Sequence, residues 1–192
     1  MSESLIHDTT LYTGRPADCS QRLPREVAVY DLLDRLEIPF LRLDHEPLFT
    51  IEACHEADAL LGTAMCKNLF LCNQNKSAYY LLLMPGDKKF QTKVFSKLIG
   101  SSRLSFASAE AMEELLGLSP GSVSVLGLMN DRRGQVSLYI DADLLRDPYM
   151  GCHPCVNTSS LRISTRDLLE IILPNLGHSY GVVELPTDVY KD

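Results

Sequence analysis

No stretch of this 192-residue chain is apolar over anything near the roughly 20 residues that a bilayer crossing requires, so no membrane span is expected. Residues Met1 to Asp8 lack the basic-then-apolar layout of a secretory leader, which makes the cytoplasm the expected location. Positive charge is not in excess either. Eighteen Lys and Arg against 25 Asp and Glu leave a formal net charge of −7, which argues against wrapping long DNA or RNA through a general basic surface. A protein that grips only the end of a nucleic acid is still allowed. A Ser-His-Asp order, a Walker loop and an H-E-x-x-H pair are missing, as are internal repeats and low-complexity tracts.

What is present is enough for an ordinary core: 45% of residues are hydrophobic, and the length suits one domain. Six cysteines, at 19, 54, 66, 72, 152 and 155, are expected as reduced thiols, because a chain this large and apolar does not need disulfide staples. Residues 1–22 show no sustained periodicity and are expected to form an N-terminal extension, followed by a domain over 23–192.

From Pro24 onward, Val29, Leu32, Leu33 and Leu36 recur at helical spacing until Pro39. A short strand is expected at 40–43. A helix capped by Thr50 follows, with Ala53, Ala57, Leu60 and Leu61 inward and Gly62 as terminator. The apolar runs 67–72 and 78–84 flank the turn formers Asn73 to Ser77 and predict a hairpin at the centre of a sheet. Residues 88–99 suggest a helix with Phe90, Val94 and Leu98 inward and a stripe of Lys89, Lys93 and Lys97 beside them. Residues 104–107 are expected as a strand, and Ser108 caps a helix that ends at Gly117. Residues 122–129 and 135–140 look like a second hairpin. Ser164 to Asp167 has the form of a capping box before Leu168 to Ile172, and a last strand is expected at 182–185. The expected class is therefore a single α/β domain, a mixed and mostly antiparallel sheet with helices around it.

Three segments carry chemistry. Lys67 opens the run Lys67-Asn68-Leu69-Phe70-Leu71, where a lysine stem can pack at a rim while its ammonium reaches a ligand. The segment Ser119-Pro120-Gly121-Ser122-Val123-Ser124, with Gly127-Leu128, combines glycines that allow close backbone approach. His153-Pro154 with Asn157-Thr158 supplies an imidazole that can donate and accept. Taken singly, each has an ordinary structural explanation: a rim lysine paired to a carboxylate, a turn, a loop histidine satisfied by backbone.

In this order, and with Asp44-His45-Glu46-Pro47 and the 141–145 segment, they resemble the YbaK/prolyl-tRNA-synthetase-associated domain family over about residues 24–186. The His153 motif is similar to the branch that clears alanine, rather than cysteine, from tRNA for proline. The resemblance implies hydrolysis of the aminoacyl ester of Ala-tRNA(Pro), acting in trans, with no cofactor and no metal, since positioned water and oxyanion stabilisation suffice for an activated ester. It implies Lys67 and His153 as catalytic residues, and His45, Asn68, Gly121, Ser122, Val123, Ser124, Gly127 and Asn157 as substrate contacts. Backbone amides in the 121–127 stretch would meet the substrate. Lys88, Lys89, Lys93 and Lys97 are the candidate tRNA contacts. The implied partners are the acceptor end of tRNA(Pro) and prolyl-tRNA synthetase.

Two other readings stay open. Cys152-His153-Pro154-Cys155 has C-x-x-C spacing, but the residues after it lack the helical period of a redox motif, and Cys66 and Cys72 are spaced poorly for zinc. The same fold acting on cysteine or serine, or binding a tRNA end without turnover, is the remaining alternative.

Overall fold

The computed structural model describes residues 6–48 and 51–187. Two sheets organise it. One has four antiparallel strands in the order β1-β2-β8-β7: β1 (Leu11–Thr13), β2 (Phe40–Asp44), β7 (Tyr149–Cys152) and β8 (Ser159–Ser164). The other has five strands in the order β5-β3-β4-β6-β9: β3 (Cys66–Asn73), β4 (Tyr79–Pro85), β5 (Leu104–Phe106), β6 (Val136–Asp141) and β9 (Tyr180–Val183). Among the strand pairs of the described residues, β4–β6 and β6–β9 are parallel and the rest antiparallel. The expected mixed, mostly antiparallel α/β class is what forms, divided between two sheets.

The apolar run of β4 has a simple cause: both faces of this strand are buried, so alternation disappears. Leu81 and Leu83 join the main core with Phe70, Leu138 and Ile140, whereas Leu82 and Met84 join a second cluster with Leu71, Phe95 and Leu104. Helix α1 (Pro24–Arg35) covers the main core with Val29, Tyr30 and Leu33. Helix α2 (Ile51–Leu61) lays Ala57 and Leu61 against Leu43 and Ile6 in a third cluster. The expected Thr50 cap lies outside the described residues. Arg162 of β8 donates to the Leu61 carbonyl at 2.9 Å, placing a cation at the negative end of α2.

Helix α4 (Ala109–Leu116) begins where Ser108 accepts from the Ala111 amide, and it ends on Gly117 in the left-handed region at φ 63°. Ser164 likewise accepts from the Asp167 amide and opens a helical stretch made of α5 (Thr165–Asp167), a π turn (Leu168–Ile172) and α6 (Leu173–Asn175).

Three expectations are corrected, and two strands are additional. Residues 122–129 are not a strand: Ser124 caps a 3-10 turn over Val125–Asn130, and β6 takes parallel partners instead of closing a hairpin. The basic helix is shorter than expected. α3 spans Thr92–Leu98, with Phe95 as its buried residue, Leu98 half-exposed and Lys88 and Lys89 ahead of it. The segment expected as an extension supplies β1, which pairs with β2 in the register Leu11↔Leu43. Arg22 ties it further through Glu26 (2.9 Å) and Asp44 (2.6 Å). Finally, β7 and β8 were not expected at all.

The sheets touch where Met65 bridges Gly151 and the Cys66 thiol donates to the Gly151 carbonyl at 3.2 Å. A Cβ on Gly151 would stand 2.7 Å from the Ala64 carbonyl oxygen and 3.0 Å from Met65 Cα, both backbone atoms that cannot step aside. Gly151→Ala should therefore lower stability by about 1–3 kcal/mol through overpacking. Urea unfolding followed by circular dichroism measures this, and an unchanged midpoint would show that the junction tolerates separation.

Candidate active site

Three chain segments meet around the entrance to β8. His45, just after β2, places Nδ1 2.8 Å from the Glu46 carbonyl and Nε2 2.8 Å from Ser160 Oγ, while its amide donates to the Thr158 carbonyl at 3.0 Å. A carbonyl only accepts, so Nδ1 carries the proton and Nε2 accepts from the Ser160 hydroxyl. His153 places Nδ1 3.0 Å from the Ser159 carbonyl, which by the same logic makes Nδ1 the donor and Nε2 the nitrogen with the lone pair. Burial pushes the pKa of both imidazoles below the usual value of 6.5, and in His153 the charge on His45 adds to the same effect. Both rings are neutral near pH 7.

The 119–125 turn is locked to the His153 loop. Ser124, fully buried, donates its hydroxyl to the His153 carbonyl at 2.6 Å and accepts from the Leu126 amide at 3.2 Å. Gly121 holds φ 87°, and a Cβ there would lie 4.0 Å from Asn157 Nδ2, so the glycine turn and Asn157 face each other across the two loops. Cys155, in the same loop as Asn157, lies in the left-handed region at φ 62°, an unusual conformation for a residue with a side chain.

Several expected roles are taken by the fold itself. Within the 121–127 stretch, the Ser122 amide bonds to the Ser119 carbonyl (3.1 Å) and the Gly127 amide to the Ser124 carbonyl (3.0 Å), so the turn itself engages these two amides. Gly127 is small for packing reasons: an added Cβ would come within 2.6 Å of Leu118 Cδ1. Val123 is partly buried against the main core.

Lys67 and Asn68 leave β3 on opposite faces. Asn68 pairs with Leu83 and shares the face of Phe70 and the main core, to which the 153–158 loop contributes Cys155. Its amide nitrogen donates to the Cys66 carbonyl at 3.1 Å, but its oxygen is buried without a hydrogen-bond partner. Such an orphaned acceptor costs free energy unless a ligand meets it. Lys67 pairs with Met84, lies on the face of α3 and donates to the Lys88 carbonyl at 2.9 Å. Thus the structure brings His45, His153, Ser124, Gly121 and Asn157 together, with Asn68 on the same side of β3 and Lys67 on the other.

Lys88 leaves the basic stripe. Only 7% exposed, it is held by Asp141, Asp143 and the Leu185 carbonyl, so it cannot also contact tRNA. Lys93 and Lys97 are exposed on α3, with Lys89 exposed just before it. The sequence reading missed Arg25, whose Nη1 donates to Ser119 Oγ at 3.3 Å while Nε is buried without a partner. Its signal was its place at the start of α1, one residue after Pro24. The C-x-x-C thiols are poorly suited to redox work. Burial raises Cys155 to about 12 and Cys152 well above its usual value, which suppresses the thiolate.

A neutral imidazole with an acceptor nitrogen, together with a buried amide oxygen lacking a partner, describes a site that orients water or a hydroxyl. Residues 45–171 match the aminoacyl-tRNA editing domain, and the chain belongs to that family, whose activity is aminoacyl-tRNA deacylation. It is 33% identical over 158 residues to the prolyl-tRNA editing protein ProX of Acetoanaerobium sticklandii, covering 82% of this chain and 96% of that protein. It is 27% identical over 174 residues to prolyl-tRNA synthetase associated domain-containing protein 1 of Danio rerio, covering 90% and 93%. A crystal structure of a candidate trans-editing enzyme for prolyl-tRNA synthetase shares the fold, with a TM-score of 0.61 at 19% identity, over 84% of this chain and 96% of that one.

The histidines make stability pH-dependent with a defined sign. A histidine whose folded pKa is depressed contributes fully above its unfolded value, here about 6.5, and loses that contribution as pH falls toward the folded value. Unfolding free energy should therefore fall below about pH 6.5, by up to about 1.4 kcal/mol per pH unit for each such histidine. His153→Asn should make the fall shallower by about one proton's worth in urea titrations between pH 7.5 and 5. An identical slope in the variant would place the effect elsewhere.

Proposed function

We propose that the protein is a trans-acting deacylase that hydrolyses Ala-tRNA(Pro) and so proofreads for prolyl-tRNA synthetase. The observation that carries this reading is His153, held neutral with Nδ1 committed to the Ser159 carbonyl and Nε2 left as the acceptor. Nε2 takes a hydrogen bond from the attacking water or from the vicinal ribose hydroxyl that orients it. The water oxygen bonds to the ester carbonyl carbon, the bond to the ribose oxygen breaks, and the proton passes to that oxygen, releasing alanine and uncharged tRNA. Asn68 Oδ1, buried without a hydrogen-bond partner, would accept from the substrate's amine or hydroxyl. Asn157 holds the loop against Gly121. Lys67, on the other face of β3, would offer its ammonium to the 3′-terminal phosphate.

The face chosen by Lys67 supports a direction for the tRNA. Lys67 and α3 share one side of the five-stranded sheet, where Phe95 of α3 packs in the second cluster and Lys93 and Lys97 point outward. The acceptor strand would follow that basic side toward Lys67. The amino acid then meets the histidine loops. A pocket that admits alanine and excludes proline by size complements a synthetase that cannot fully reject the smaller amino acid.

The test is hydrolysis of Ala-, Cys-, Ser- and Pro-charged tRNA(Pro) by the wild type and Lys67→Ala. Alanine is expected to be cleared selectively, with a loss of 100-fold or more in the variant. A preference for cysteine or serine would change the substrate, and binding without turnover would leave a tRNA-end binding module. For the basic helix, Lys93→Gln with Lys97→Gln should reduce the slope of log affinity against log salt by about 1–2, as expected for two lost phosphate contacts. An unchanged slope removes α3 from the tRNA path.

A further inference from the structure

We propose that Lys88 is a positioning residue for the editing reaction: its buried ion pair with Asp141 and Asp143 fixes the backbone carbonyl on which the Lys67 ammonium is held. This rests on the reading of Lys67 as a substrate-contacting residue. The geometry is closed on every side. Lys88 Nζ lies 2.9 Å from each oxygen of Asp141, 2.6 Å from Asp143 Oδ2 and 3.0 Å from the Leu185 carbonyl, so its three N–H groups are saturated within the protein. Asp141 is fully buried at the end of β6, and its Oδ1 also accepts from the Asp143 amide at 3.0 Å. One lysine thereby fastens the loop after β4 to the end of β6 and to the chain beyond β9.

That loop would otherwise be an exposed turn: Gly86 and Asp87 are exposed, and the Lys88 amide makes only a long 3.3 Å bond to the Pro85 carbonyl. Its carbonyl is nevertheless the acceptor for Lys67 Nζ at 2.9 Å. An exposed lysine samples many rotamers and loses that freedom when it is held. A fixed acceptor confines it to one direction before substrate arrives. Stability alone is a weak reason for the cluster, since buried ion pairs are commonly replaceable by apolar residues without loss. Burial opposes the Lys88 charge, but hydrogen bonds to Asp143 and Asp141 outweigh it and raise the lysine pKa, while the Asp143 pKa is lowered by the same contact. The contact between Lys88 and Asp143 thus favours the charged form of both groups.

The experiment is a mutant cycle on the full chain, using the charged tRNA that the wild type hydrolyses. Lys88→Met combined with Asp141→Asn removes the ion pair without stranding a buried carboxylate, and urea unfolding checks that the variant is folded. The expected result is a loss of tenfold or more in kcat/KM that shrinks to less than twofold when Lys67→Ala is already present. The second readout is the Lys67 ammonium signal in 15N-lysine-labelled protein, which should be protected from exchange in the wild type and lose that protection in the variant. A folded variant with wild-type kcat/KM, or one whose loss is equally large in the Lys67→Ala background, overturns the proposal. If Lys67→Ala alone turns over normally, the reading of Lys67 fails, and the ammonium signal still decides whether Lys88 holds it. Should the double substitution unfold the chain, Asp143→Asn, at the partner that is 33% exposed, is read by the same two measurements.

Discussion

The structure depends on one constraint, the burial of β4 on both faces. A strand with solvent on one side gives its neighbours an inside and an outside, but β4 gives them two insides. Each residue of the adjoining β3 is then assigned to one core or the other by pleat parity alone. Lys67 and Asn68, consecutive in sequence, are sent in opposite directions with no choice in the matter. The same parity puts Ile140 with Leu83 on one face and the fully buried Asp141 on the side where Lys88 waits. A one-residue slip of β3 against β4 would exchange these assignments entirely.

How much of this could be read from the sequence follows from how local each signal is. Helix α1, the Ser108 and Ser164 caps and the β3–β4 hairpin depend on neighbours within a few residues, and all of them form as expected. The 122–129 segment fails for an instructive reason. Ser122-Val123-Ser124-Val125 alternates like a strand, but Ser124 uses its hydroxyl to cap a tight turn, and Gly127 is packed against Leu118. Strand β8 had its signal in plain view, since Leu161 and Ile163 flank Arg162 at period two, but the strand is short and its hydroxyl-rich entrance resembles a loop. Its role emerges only with its partners, β2 and β7, which come from distant parts of the chain.

The candidate site divides along the same line. Lys67, His45, His153 and Asn157 were all nominated from the order of motifs, yet nothing in that order says which face of β3 each would use. Lys88 shows the limit most clearly. In sequence it stands at the head of a run of lysines and looks like part of a solvated stripe, but its partners Asp141 and Asp143 are more than 50 residues away. Long-range pairing of this kind has no local signature. Arg25 was hidden for the opposite reason, because an arginine in a first helical turn is so common that only its buried, unpartnered Nε sets it apart.

Separating the charges has a chemical consequence on the proposed reading. An aminoacyl ester brings a cationic amine at one end and a phosphodiester at the other. The histidine loops keep both imidazoles neutral by burial, and a charge on His45 would further disfavour one on His153, so the two histidines meet the amine as acceptors rather than cations. The full positive charge of Lys67 and the exposed lysines of α3 stand on the other side of the sheet, where phosphates are attracted without repelling the amine. Had Lys67 shared the face of Asn68, its ammonium would compete with the substrate amine for the same acceptors in a low-dielectric setting, where like charges repel far more strongly than in water. Doubly buried β4 therefore does more than stabilise the sheet. By forcing alternate residues of β3 apart, it puts the Lys67 ammonium and the Asn68 amide on opposite faces, the order in which, on the proposed reading, an aminoacylated 3′ end would present its phosphate and its amine.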